Sequence, residues 1–139
     1  MNPQDRLREL ADNLDRVVTD EGLVFQTEIV SGEVDILVLT VEDREEFPIY
    51  ITVDEGQILC ITHLWKESEI NSDKRLDLLD TLISMNVSIP LSAFSKVGSQ
   101  YIIFGALSVR STMESMIEEI CALSDNTLAI LEELKDYLR

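Results

Sequence analysis

His63 is the chain's one histidine, and Cys60 stands three residues before it in the run QILCITHLW. In an extended segment, residues three apart project to opposite faces, so this pair is poorly placed to share a metal ion. A nucleophilic serine or cysteine needs a base oriented by a third group, and a single imidazole can serve only one such arrangement. No G-x-S-x-G elbow presents a serine, and Ser92, Ser95 and Ser108 lie in apolar alternation instead. KVGSQY and IFGALS hold one glycine each, with neither the spacing nor the lysine of a phosphate cradle. The acidic runs EDREE at 42–46 and EELKD at 132–136 read as a solvated turn and a solvated helix face. The sequence therefore predicts no catalytic, cofactor-binding or metal-binding set, and a protein that is not an enzyme.

Large aromatics point elsewhere. Trp65 ends the run HLW, and Tyr50 lies in FPIYITV, where Pro48 suits an edge strand or a strand beginning. Strict alternation groups His63 with Leu59, Ile61 and Trp65, and Cys60 with Thr62 and Leu64. Tyr50, His63 and Trp65 are accordingly the candidate partner-binding residues, since aromatics at a strand end can anchor a protein ligand. The alternative is a small-ligand or enzyme pocket near His63, which requires His63 and at least one acid to face inward.

The elements that position these residues follow from periodicity. Asn2 and Pro3 start a helix, and Leu7, Leu10, Leu14, Val17 and Val18 carry its apolar stripe, predicting a helix over about 3–18. From Gly22 the period becomes two. GLVFQTEIV, EVDILVLTV, FPIYITVD and QILCITHLW, separated by short turns, read as an antiparallel meander, with VDILVLTV suited to a central strand covered on both faces. Asn71 or Ser72 caps a second helix running to about Met85, with Leu76, Leu79, Leu82 and Ile83 on one face. AFSKV and YIIFGALS pair across Gly98 and Ser99, with Tyr101, Ile103 and Gly105 on one face, and Gly105 and Ala106 leave room for a close neighbour. Ser111 and Glu114 form a capping box for residues 112–138, which form one long helix or two pieces broken at LSDNT. The whole reads as one domain, 1–139, of the α+β class. Its order is α-β-β-β-β-α-β-β-α, an antiparallel sheet of five to six strands with three helices on one face or at its ends.

Composition limits the partners. With 27 acidic and 11 basic residues the net charge is −16, which repels nucleic-acid phosphates and anionic lipid. Residues 74–110 are the exception, with four cations against two acids. No signal-peptide core or membrane span is visible, so a cytoplasmic protein is expected, without direct membrane insertion. Cys60 and Cys121 read as buried small hydrophobes in a reducing compartment. Spare apolar surface on a small sheet favours a homodimer.

MNVSIPLSAFSKVGSQYIIFGALSVRS, followed by IEEICALSDNTLAILEEL, resembles the signature region of the bacterial YjfI-like family, a domain of unknown function. The resemblance covers about residues 84–134 well, and the first 80 residues by length and element order. Members of that family are typically encoded near a homologue of phage-shock protein A, so the resemblance implies a place in envelope stress and a phage-shock-protein-A-like partner. The element order is also similar to type III secretion chaperones, small acidic proteins that dimerise and bind extended protein segments. That likeness implies a non-enzymatic, chaperone-like binding module.

Overall fold

Pro3 occupies the first helical position, and Asn2 caps the turn by accepting the Asp5 N–H on its Oδ1 at 2.8 Å. In the computed structural model, which describes residues 1–139, this helix is α1 (Pro3–Leu14). It ends earlier than its apolar period predicts. Arg16 adopts φ 66, and Val17 and Val18 turn extended, Val17 bonding Phe25 and Val18 bridging Val24. The two valines continue the apolar stripe yet, being β-branched, also suit extended pairing, and here the pairing wins.

The meander follows as β1 (Phe25–Val30), β2 (Ile36–Val41), β3 (Ile49–Val53) and β4 (Gln57–Lys66). After it come α2 (Arg75–Met85), the hairpin β5 (Ala93–Val97) and β6 (Gln100–Ser108), and α3 (Met113–Glu133). The six strands form one antiparallel sheet in the order β1-β2-β3-β4-β6-β5. Pro48 marks the beginning of β3 and not an edge, because β3 lies between β2 and β4. The hairpin turns at Gly98, whose φ of +59 suits a residue without Cβ.

α3 is one helix. Ser124 accepts from the Arg44 guanidinium at 2.9 Å, and Asn126 Nδ2 donates to the Pro90 carbonyl at 2.8 Å and to Ser92 Oγ at 3.0 Å. With these partners outside the helix, the polar run at 124–126 does not unwind it. Its cap lies one residue later than the sequence predicts: Thr112 Oγ1, not Ser111, accepts the Ser115 N–H at 3.1 Å.

All three helices pack on one face of the sheet, over two adjoining cores. The larger joins Leu7, Leu10 and Leu14 of α1 and Met116 and Ile120 of α3 to inward strand residues from Phe25 to Ile103. The smaller joins Leu78 and Leu82 of α2 and Ile130 and Leu134 to Trp65 and Tyr101. β2 is therefore covered on one face only. Its outward residues Ile36 and Val38 are half-buried by neighbouring strands, with no helix above them.

Gly105 fixes how α3 seats. A Cβ built there would lie 1.5 Å from Glu119 Oε1 and 3.1 Å from the Leu91 carbonyl oxygen, so the carboxyl occupies the space that a side chain would fill. Glu119 is 5% exposed, and its Oε1 has no hydrogen-bond partner in the protein. Burial, and then the nearby Glu118 carboxylate, push the Glu119 carboxyl above the usual range.

Gly105→Ala should lower stability by about 1–3 kcal/mol in urea denaturation through overpacking, and Gly105→Ala combined with Glu119→Ala should recover part of that loss. Glu119→Gln tests the titration. Because the folded state holds the proton more tightly than the unfolded chain, wild-type stability should fall as pH rises above about 4.3, then level off once the folded value is passed. The Gln variant lacks this loss, so its advantage over wild type should grow with pH across that window in urea midpoints.

Candidate functional site

The face of the sheet opposite the helices is the candidate site. Cross-strand pairing sets Val38 beside Tyr50, Tyr50 beside Ile61, Ile61 beside Phe104 and His63 beside Ile102. Tyr50 and His63 meet with ring centroids 5.0 Å apart and planes inclined by 35°. His63 is exposed and Tyr50 half-buried, so an aromatic pair stands in a field of aliphatic side chains with no helix over it. Acidic turns lie at the ends of the strands. At one of them the backbone N–H groups of Gln57 and Gly56 donate to Asp54 Oδ1, each at 2.8 Å, and hold that carboxyl below its usual range.

Trp65 is not part of this face. Between the pairs His63 with Ile102 and Lys66 with Gln100, β4 advances three residues while β6 advances two. This bulge turns the alternation over, and Trp65 points inward at 2% exposure, its ring 6.1 Å from that of Tyr101. The candidate anchor is a core residue. Strict alternation misplaces it because no Gly or Pro in THLWK signals the extra residue. Tyr50 keeps its outward position, on an interior strand instead of an edge.

The pocket reading fares differently. His63 stands on open surface, so no enclosed site forms around it. The thiols are similarly withdrawn. Burial and then the Glu119 charge push Cys60 up to about 12, while burial followed by Glu21 and Asp125 raises Cys121 to about 11, so neither is a ready nucleophile.

One charged constellation escaped the sequence. Glu67, just after β4, takes both Arg75 Nε and Nη2 at 3.0 Å, Lys96 Nζ at 2.9 Å and the Tyr101 hydroxyl at 3.0 Å. The hydrogen bonds from Arg75, then from Lys96, hold its carboxyl down at about 2. Its partners are 8, 29 and 34 residues away, so no local motif announces them. The cluster clamps α2 and β5 to the end of β4, and its cations are spent on Glu67.

Residues 5–138 match the family described as "Uncharacterized protein conserved in bacteria (DUF2170)". The chain belongs to that family. It is 30% identical over 113 residues to "Uncharacterized protein YjfI" of Escherichia coli strain K12, spanning 78% of this chain and 83% of that protein, and it matches YjfI of E. coli O157:H7 equally. Among solved structures, this DUF2170 fold resembles that of YbjN, a proposed transcription regulator from E. coli. The TM-score is 0.65 at 18% identity, over 96% of this chain and 92% of that one. It also resembles a chain of the ExsC–ExsE complex, with a TM-score of 0.55 at 14% identity over 95% and 96% of the two chains. At these identities the likeness is one of fold, and the α+β architecture expected from the element order, α-β-β-β-β-α-β-β-α, is present. No helix is long and apolar enough to cross a membrane.

The division between core and open face has a direct measure. Trp65→Ala should cost about 3–5 kcal/mol in urea denaturation, as loss of a buried aromatic does, whereas His63→Ala should stay within about 0.5 kcal/mol of wild type.

Proposed function

We propose that this protein is a cytoplasmic, non-enzymatic binding module that acts as a homodimer and docks a protein segment on the open sheet face around Tyr50 and His63. The observation that carries this reading is the placement of a tilted tyrosine–histidine ring pair among aliphatic residues on a face that no helix covers. Aromatic side chains that keep one side accessible contribute large contact area at low entropic cost. The ligand is an amphipathic segment, with apolar residues for Ile61 and Phe104 and basic flanks for the acidic strand-end turns. A chain of net charge −16 favours such a partner and disfavours nucleic acid. For this reason the likeness to YbjN is taken for its fold alone.

The family resemblance directs the choice of partner to a phage-shock-protein-A-like coiled-coil protein and the process to envelope stress. The experiment places a photo-crosslinking amino acid at position 63 in the native cell and identifies what it captures. Position 63 should capture the phage-shock-protein-A-like protein, the adduct should be lost with Tyr50→Glu, and a control at the buried position 78 should capture nothing. With purified proteins, Tyr50→Glu should weaken binding at least about tenfold, as loss of a central aromatic does. Equal capture at positions 63 and 78, or undiminished binding by the Tyr50 variant, defeats the reading.

A further inference from the structure

Five of the nine large apolar side chains that the fold leaves exposed, Leu76, Ile83, Val87, Leu91 and Val97, fall within α2, β5 and the connection between them. Leu76, Ile83 and Val87 lie at helical spacing on the outward side, exposed by 76%, 71% and 93%. Beside this stripe, between α2 and β5, runs an apolar groove of about 140 Å³ lined by Leu79, Leu82, Ile83, Phe94 and Tyr101. Its size is close to that of a cavity of roughly 150 Å³ that admits benzene, so it has room for an aliphatic side chain. The edge of β5 is partly closed already, because Asn86 Oδ1 accepts the Phe94 N–H at 2.7 Å, which favours side-chain docking over addition of a strand.

Charge selects the occupant. Most of the surface is acidic, and two such surfaces repel. The α2–β5 region lies in the segment with four cations against two acids, and two of those cations, Arg75 and Lys96, are paired internally with Glu67. A partner of strong charge of either sign gains little there, whereas a second copy meets a near-neutral apolar patch with a knob and a hole side by side. We propose that this face is the homodimer interface, formed about a two-fold axis, with Val87 of each protomer entering the α2–β5 groove of the other. The inference rests on the homodimer part of the proposed function and is independent of the partner-docking face.

Analytical ultracentrifugation of the full chain tests it. Wild type should sediment as a dimer at about 100 µM. Its dissociation constant should fall several-fold between about 50 and about 500 mM NaCl, because salt screens the repulsion between two acidic protomers. Val87→Asp and Ile83→Asp, both at exposed positions, should each shift the protein to monomer with an unchanged circular dichroism spectrum. Val34→Asp, also exposed but in the β1–β2 turn, should leave the dimer intact. A wild type monomeric at that concentration overturns both the interface and the homodimer. A dimer that survives both Val87→Asp and Ile83→Asp, or that weakens as salt rises, overturns the interface while the homodimer stands. Crosslinking at position 63 reads the partner-docking face separately in the same variants.

Discussion

How closely α3 can lie on the sheet is set at Gly105, where the helix brings a carboxyl into the volume that any other residue would need for its own Cβ. This close approach sets the height at which Met116 and Ile120 reach the larger core, and the same rigid helix carries Ile130 and Leu134 to the smaller one. A glycine costs strand stability, and a buried carboxyl without a partner costs more. The arrangement persists because a closer helix recovers dispersion contacts along its whole inner face.

The sheet is consequently asymmetric in what it offers a second molecule. One face is spent on three helices and two cores, and the other carries half-buried aliphatic residues and the Tyr50–His63 pair. The Glu67 cluster adds a second asymmetry, since by pairing Arg75 and Lys96 it leaves one side of an acidic molecule close to neutral. Open sheet and neutral helix face are separate surfaces, so self-association and partner capture need not compete for the same residues.

Periodicity made most of the fold legible. The meander, the hairpin across Gly98 and the single-sided helices all follow from alternation, turn residues and helical stripes. Where local signals mislead or leave a choice open, long-range partners decide. Val17 and Val18 continue a helical stripe but pair with the segment around Val24 and Phe25, and the capping competitors of LSDNT are satisfied by Arg44, Pro90 and Ser92. At the candidate site, Tyr50 and His63 were visible because simple alternation holds up to residue 63. Trp65 is misplaced because the count slips just past His63. Glu67 was invisible because its ligands come from α2, β5 and β6.

That slip in β4 makes the strand a ruler as well as a support. Upstream of it, Ile58, Cys60 and Thr62 face the larger core; downstream, Trp65 faces the smaller one, and only an odd residue between them lets both point the same way. Pairing β4 regularly with β6 through this stretch, with every residue retained, would turn the Trp65 indole out into solvent and leave α2 without its floor. Here a more regular strand makes a poorer protein, because the bulge sets the face on which Trp65 lies.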